Sequence, residues 1–257
     1  MKLHFLGTCA GTEPILNLMH VSTALEVEDR LYWFDAGEGC SRTGHLMGLD
    51  LLKIRSIFIA TPHGDHMGGL INLLWNIRKL ADRKERLPDS DIQLYISDPV
   101  LTEGIFQILH SLETGYRCDF DIINPHEVNE GVLYDDGFVK VTAYHNGFDV
   151  GRNQKKCVSY SYKMEAEGKK IIYSGDLKSY NDLDRIIEDG CDGLIIETGH
   201  FGIDDVRDYV KDKNIGKIFF SHNGREIINY PEKSQKKIDG YFEGRALICK
   251  DAMTVEI

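Results

Sequence analysis

The sequence predicts an α/β protein in which short apolar strands alternate with helices. In the second half of the chain, four such strands are each followed closely by a polar or metal-ligating residue type, namely His145, Asp176, Glu197 and His222. Segments with helical spacing lie between these strands. Alternation of this kind is typical of α/β folds, and their functional sites form where strand ends meet at a sheet edge.

Length and composition narrow the class of protein. A chain of 257 residues is an ordinary length for one domain, so we expect a single domain over residues 1–257. The 41 acidic and 30 basic side chains leave a net charge of −11, which disfavours binding to long nucleic acids. No apolar run approaches the roughly 18 residues of a membrane span. Six scattered cysteines without a Cys-x-x-Cys pair, and no signal-peptide core, predict a cytoplasmic protein that does not contact membranes.

The first half of the chain contains the clearest strands. Alternation and apolar runs predict strands at residues 2–6, 22–27, 30–34, 54–60 and 93–96. Residues 67–80 have helical spacing, with Leu70, Leu73, Leu74 and Ile77 on one face, and a second helix is predicted over 101–112. The charged stretch 82–91 is predicted to be a loop.

The second half repeats one arrangement of strand and helix. Strands are predicted at residues 139–144, 158–164, 170–173, 193–196 and 217–220, and two short strands around Asp251 in 246–257. Helices are predicted at 182–188 and 203–211, the first with Asn181 as its N-cap.

The segment Thr61-Pro-His-Gly-Asp-His66 holds the densest group of candidate ligands. His63, Asp65 and His66 lie at a strand-to-helix turn directly after a buried strand. Imidazole nitrogens and carboxylate oxygens are ligands for zinc, manganese or iron. Gly64 permits the backbone angles that let these side chains converge. We therefore predict a metal site here, against the alternative of a polar loop.

Several motifs resemble those of a known family. His63-Gly-Asp-His66-Met-Gly-Gly is similar to the His-x-His-x-Asp-His signature of the metallo-β-lactamase superfamily. Phe5-Leu-Gly-Thr8 and Phe34-Asp-Ala-Gly-Glu-Gly39 resemble opening motifs of its ribonuclease Z branch, and the ending Cys249-Lys-Asp-Ala-Met-Thr-Val-Glu-Ile257 resembles that branch's last strand. The resemblance implies a four-layer αββα sandwich.

The resemblance also implies a metal centre at the common edge of the two sheets. One site would use His63 and His145, the other Asp65, His66 and His222, and Asp176 would bridge both. Such a centre lowers the pKa of a bound water and holds the attacked group. Asp65 could also accept a proton from that water. Asp35 either orients a ligand or caps backbone amides in a turn.

Thr61 departs from the family pattern, which has histidine at this position. A neutral hydroxyl is a poor ligand beside imidazole, so the first site loses a donor. Pro62 biases Thr61 toward extended geometry, from which its side chain could point inward and hold a water. We therefore expect one firmly bound Zn²⁺ (or Mn²⁺ or Fe²⁺) and a second ion that is weak or absent.

The pair Glu197 and His200 is the second candidate for catalysis. A carboxylate beside an imidazole can orient it to protonate a leaving oxygen, so catalytic roles are predicted for Asp65, Glu197 and His200. The alternative is a helix-capping or surface pair. We weigh both interpretations equally.

The ribonuclease Z-like motifs favour hydrolysis of a phosphodiester. The branch's tRNA-gripping arm would fall at residues 165–169, where this chain has only a short turn. We therefore predict a metal-dependent phosphodiesterase for a small or cyclic nucleotide-type diester that works through a metal-bound hydroxide. The alternatives are a metal-impaired binding module, a lactone, lactam or thioester hydrolase, and a tRNA 3′-processing endonuclease. The resemblance also implies a homodimer.

Overall fold

The computed structural model describes residues 1–112, 115, 117–149 and 158–257, the side chain of residue 149 excepted. The strands are β1 (Lys2–Gly7), β2 (Ser22–Val27), β3 (Arg30–Phe34), β4 (Ile54–Phe58), β5 (Ile92–Ile96), β6 (Ile123–Glu127), β7 (Gly131–Asp135), β8 (Lys140–Asp149), β9 (Val158–Ala166), β10 (Lys169–Tyr173), β11 (Cys191–Glu197), β12 (Ile215–Ser221), β13 (Ala246–Ile248) and β14 (Met253–Glu256). The helices are α1 (Cys40–Leu46), α2 (Gly64–Met67), α3 (Leu70–Arg83), α4 (Pro99–Ser111), α5 (Asp184–Ile187), α6 (Ile203–Val210), α7 (Arg225–Asn229) and α8 (Pro231–Phe242).

The described strands form two sheets of seven. Their orders are β14-β1-β2-β3-β4-β5-β6 and β13-β12-β11-β10-β9-β8-β7. Each sheet is antiparallel on one side and parallel on the other, with β3 to β6 and β10 to β13 running parallel. The carboxyl ends of the parallel strands therefore bring the residues that follow β3, β4, β10, β11 and β12 toward one edge.

Three apolar layers hold the sheets and helices together. Aromatic side chains dominate the layer between the sheets, where the Phe34 and Phe58 rings stack at 5.0 Å and both lie close to Tyr162. A second layer joins α1, α3 and α4 to the first sheet, and a third joins α5 to α8 to the second. The four-layer αββα sandwich predicted from the motifs is confirmed.

Most predicted elements are present, with two local differences. The helix predicted at 67–80 is split into α2 and α3, because Gly69 lies against the main chain of residue 37. A Cβ atom at Gly69 would be 2.2 Å from the Gly37 carbonyl oxygen. The predicted N-cap Asn181 lies inside a 3-10 turn, Tyr180–Leu183, that precedes α5 and is capped by Ser179: the Ser179 hydroxyl accepts from the Asn181 amide, and Asp182 accepts from the Ser179 amide.

Strands β6 and β7 and helices α1, α7 and α8 were not predicted. The β6 sequence contains a proline and three polar residues, which is unlike a buried strand but acceptable at a sheet edge. The cysteines in the described part of the chain are buried free thiols. Of the described helices, none combines the length and apolar character needed to cross a bilayer.

Candidate metal centre

Four side chains from three distant parts of the chain converge at the common edge of the sheets. Nε2 of His66 lies 3.0 Å from Oδ1 of Asp176, and Nε2 of His222 lies 3.1 Å from Oδ2 of Asp65. The cross distances are 3.6 Å from His66 to Asp65 and 3.5 Å from His222 to Asp176. Two imidazole nitrogens and two carboxylate oxygens facing one point are a donor set that suits zinc, manganese or iron. We call these four residues the ligand cluster.

Local backbone geometry places each member of the ligand cluster. Asp65 and His66 lie in α2, a single helical turn that follows β4 after a short connecting segment. Asp176 follows β10 after Gly175, which has φ of 58° and lies so close to the Tyr160 carbonyl oxygen that a Cβ would be 2.6 Å from it. His222 follows β12 with φ of 50°, a conformation that non-glycine residues seldom adopt.

Asp35 holds the ring of His66 from behind. Its Oδ2 accepts from His66 Nδ1 at 2.7 Å and from the Tyr173 hydroxyl at 2.6 Å, while Oδ1 accepts from the Ala60 amide at 2.7 Å. Asp35 is fully buried. It therefore makes both predicted kinds of contact, with an imidazole and with a backbone amide. Fixing Nδ1 in this way leaves Nε2 of His66 directed toward the cluster.

Replacing Asp35 tests this support directly. Asp35→Ala would leave three buried donors without their acceptor. An unsatisfied buried donor costs about 1–3 kcal/mol, so we expect the free energy of unfolding to fall by about 3 kcal/mol or more. Metal affinity should weaken about 10- to 100-fold. Urea unfolding and metal titration measure the two effects, with the exposed Asp189→Ala as the control. Equal stability of the two variants would contradict the assigned role.

Glu197 is a buried carboxylate shared by two imidazoles. Its Oε2 accepts from Nδ1 of His200 at 2.8 Å and lies 3.5 Å from Nδ1 of His222, while Oε1 accepts from the Leu177 amide at 2.7 Å. His200 is partly exposed, and its ring lies 4.9 Å from that of Phe148. The hydrogen bond that His200 donates to Glu197 raises the pKa of His200. The pair is thus a buried carboxylate orienting a more exposed imidazole, not two surface side chains.

Charges within the ligand cluster oppose the effects of burial. Burial alone would raise the pKa of Asp65, but the hydrogen bond from His222 and the charge of His66 lower it to about 2. Burial would lower the pKa of His222, yet the charge of Asp176 and the Asp65 hydrogen bond raise it to about 10. Asp176 is held well below its ordinary pKa and His66 well above. Without a metal, the cluster therefore holds two carboxylates and two imidazoliums.

The other two predicted ligands, His63 and His145, lie outside the ligand cluster. His63 contacts the cluster through Nδ1, 3.1 Å from Oδ2 of Asp176. His145 does not reach it: its side chain is exposed, its ring lies 5.9 Å from that of Tyr160, and its carbonyl oxygen accepts from Arg185. The structure therefore gives His145 contacts outside the ligand cluster, and its role as a ligand stays a prediction.

Asn146 occupies the inward position that we had predicted for His145. It is fully buried, and its Nδ2 donates to Ser159, Ser161 and the Ser174 carbonyl. The register of β8 against β9 is regular up to His145, which pairs with Tyr160, and shifts between His145 and Asp149, so Asn146 lies in the irregular part of the strand. The sequence alone does not reveal such a shift. The polar residue next to His145, Asn146, is the signal that could have indicated an alternative inward side chain.

The architecture and the position of the ligand cluster define a protein of the metallo-β-lactamase fold. Solved structures with this fold include human tRNase Z, short form, with a TM-score of 0.74, 20% identity and coverage of 100% of this chain and 99% of that one. Yeast PDE1 matches with a TM-score of 0.68 and 12% identity, covering 100% and 99%. At these identities, the similarity shows the fold alone.

Sequence relatives assign the chain to a branch among the proteins with this fold. Ribonuclease Z of Methanothermobacter thermautotrophicus is 35% identical over 156 residues, which cover 58% of this chain and 46% of that protein. Ribonuclease Z of Pyrococcus abyssi is 33% identical over 187 residues, covering 68% and 60%. The chain thus spans about half the length of these curated relatives. The predicted ribonuclease Z-like branch is confirmed. Residues 1–198 match the family described as Anti-Pycsar protein Apyc1, and the chain belongs to that family.

Proposed function

We propose that this protein is a metal-dependent phosphodiesterase that acts on a small or cyclic nucleotide-type diester. The observation that supports it is the set of contacts of 3.0 to 3.6 Å that join Asp65, His66, Asp176 and His222 at one edge of the sandwich. These side chains would hold a divalent ion, which would supply Lewis acidity that favours deprotonation of water near neutral pH. The ribonuclease name of the sequence relatives agrees with this choice of bond.

Two groups would move protons in the reaction. Asp65, with a pKa of about 2, stays ionised at neutral pH and is directed into the ligand cluster, so it can accept a proton from the attacking water. His200 is bound to Glu197 through Nδ1, which leaves Nε2 free. With its raised pKa, His200 can carry a proton on Nε2 and donate it to the leaving oxygen.

The space beside His200 suits a small substrate. A cleft of about 400 Å³ is lined by His200, Phe148, Phe201, Leu177 and Lys178. Its volume lies in the range of small-molecule sites, and its aromatic rings with one lysine suit a flat base and a phosphate. A wider groove of about 1030 Å³ is lined by other residues, around Glu165 to Lys170, and no member of the ligand cluster lines it in the described part of the chain.

The hairpin of β9 and β10 argues against a long RNA substrate. The two strands are joined by the two-residue turn Glu167-Gly168, at the position where ribonuclease Z proteins are expected to have their arm. The net charge of −11 would also repel a long polyanion. Both observations favour a small diester over tRNA.

A substrate panel tests the proposal. Protein loaded with Zn²⁺ or Mn²⁺ should hydrolyse bis(p-nitrophenyl) phosphate and a cyclic mononucleotide faster than a lactone, lactam, thioester or precursor tRNA. Faster cleavage of the tRNA would favour the ribonuclease Z activity instead. No hydrolysis of any substrate with either metal would overturn the proposal and favour a binding module.

Glu197→Gln tests the proton donor, with metal content measured in parallel because Oε2 of Glu197 also lies 3.5 Å from Nδ1 of His222. Without the carboxylate, His200 loses the partner that raises its pKa, so protonation of a leaving alkoxide should be impaired. We expect kcat on a cyclic nucleotide to fall about 100-fold or more, the usual size of general acid catalysis. p-Nitrophenolate leaves without a proton, so its ester should lose far less. The control is Glu103→Gln, an exposed position on α4. Equal losses on both esters would contradict the assigned role of His200.

A further inference from the structure

A buried network of neutral groups fills the place where the first metal site was expected. The Thr61 hydroxyl lies 2.7 Å from the Ser159 hydroxyl, which donates to the main-chain oxygen of Asp176 at 3.2 Å. Asn146 Nδ2 lies 3.3 Å from the Ser159 hydroxyl and 3.3 Å from the Ser161 hydroxyl. All four side chains are fully buried. We call Thr61, Asn146, Ser159 and Ser161 the hydroxyl–amide network.

The chemistry of this network does not suit a second ion. Neutral hydroxyls and an amide nitrogen are weak partners for Zn²⁺ or Mn²⁺ beside imidazole and carboxylate. Their polar atoms are already paired with one another and with main-chain oxygens. An ion placed here would break buried hydrogen bonds without charged ligands to replace them. His145, the other imidazole expected at this site, is exposed and directed elsewhere.

The contacts of Asp176 show how this network affects the metal centre. Its Oδ1 faces Nε2 of His66 and of His222, whereas Oδ2 accepts from His63 Nδ1 at 3.1 Å. A carboxylate can bridge two ions by giving one oxygen to each or by sharing a single oxygen between them, and the first mode needs both oxygens. Here the second oxygen already has a protein partner, so Asp176 presents a single oxygen to the ligand cluster.

We propose that this centre binds one ion, and that His63 and the hydroxyl–amide network take the place of a second ion by fixing Asp176. The ion is held by Asp65, His66, Asp176 and His222. His63 and Ser159 are then positioning residues, which act through Asp176. The inference rests on the proposed metal centre and adds its stoichiometry and the role of its neutral half.

Metal stoichiometry separates the possible outcomes. Wild-type protein equilibrated with excess Mn²⁺ and freed of unbound metal is measured by elemental analysis and by electron paramagnetic resonance. We expect one equivalent and the hyperfine pattern of isolated Mn²⁺. Two equivalents with a spin-coupled signal would overturn this inference and leave the proposed function standing. No bound metal would overturn the proposed function and the inference together.

A pair of serine variants tests the network without disturbing the ligands. Ser159→Ala removes the hydroxyl that contacts Thr61 and Asp176, and we expect the single ion to bind about tenfold more weakly with unchanged stoichiometry. The matched control is Ser56→Ala, a buried serine of β4 whose hydroxyl has no hydrogen-bond partner within the described residues. Equal affinity in the two variants would overturn the role of the network.

The double variant T61H/N146H offers the converse test. It replaces two neutral members of the network by imidazoles beside His63. We expect binding to rise from one Mn²⁺ to two, with a spin-coupled signal. A folded double variant, judged by circular dichroism, that still binds one ion would show that the network is not what excludes the second, and would overturn the inference.

Discussion

His66→Ala should remove the bound metal and lower kcat/KM on an aryl phosphodiester on the order of 1000-fold. The Nε2 atom of His66 faces both Asp65 and Asp176, so its loss opens the ligand cluster on one side. Lewis-acid stabilisation is worth several kcal/mol, and each 1.36 kcal/mol changes the rate tenfold. Elemental analysis and initial rates measure the two effects.

The comparison needs a folding control, because His66 also pairs with the buried Asp35. His66→Gln retains a polar group of similar length and should lose metal and activity while keeping more of the fold. His45→Ala, an exposed position near the end of α1, should leave both metal content and rate unchanged. Wild-type activity in a folded His66 variant would contradict the proposed centre.

Metal binding should weaken steeply as the pH falls. The pKa of His222 is raised to about 10 and that of His66 well above its ordinary value, so both imidazoles carry protons at pH 7 in the metal-free protein. A metal ion must displace these protons, up to about two per ion, so the dissociation constant should rise by up to about 100-fold for each pH unit lowered. Isothermal titration calorimetry in buffers of different ionisation enthalpy counts the released protons. Binding without proton release would contradict this electrostatic account of the cluster.

The same shifts set the pH range over which the cluster stabilises the metal-free fold. Raised histidine pKa values add stability that is fully present below about pH 6.5 and is lost as the pH rises through the folded value, about 10 for His222. The lowered pKa of Asp65 adds stability that is present above about pH 3.9 and is lost as the pH falls through about 2. Metal-free protein should therefore gain most from the cluster between about pH 4 and 6.5, as urea unfolding across this range would show.

The fold was largely predictable because its strong signals are local. Strands β2 and β3 match the predicted bounds, since apolar alternation there has few competing interpretations. The order of the motifs then predicted the sandwich. Edge strand β6 was missed because it is polar and contains Pro125, and the break between α2 and α3 depends on a tertiary contact between Gly69 and Gly37. Spacing along the chain carries no information about such a contact.

Most residues of the candidate site could also be predicted from the sequence. Asp65, His66, Asp176 and His222 come together as the motifs implied. Thr61 indicated that the first metal site is weakened. The side chains that pair with Thr61 at the expected place of this site lie on β8 and β9 and belong to no family motif. The prediction for His145 depended on side-chain direction at the end of the regular part of β8, just before its register against β9 shifts. Side-chain identity was readable from the sequence, whereas side-chain direction depended on the sheet.

Anomalous diffraction from crystals grown with Zn²⁺, recorded on either side of the zinc absorption edge, would locate any bound ion without assumptions about activity. We expect one strong peak between Nε2 of His66, Nε2 of His222 and the nearer carboxylate oxygens of Asp65 and Asp176, with no peak beside Thr61. Zinc at full occupancy elsewhere, with nothing among these four atoms, would contradict the assignment of the centre.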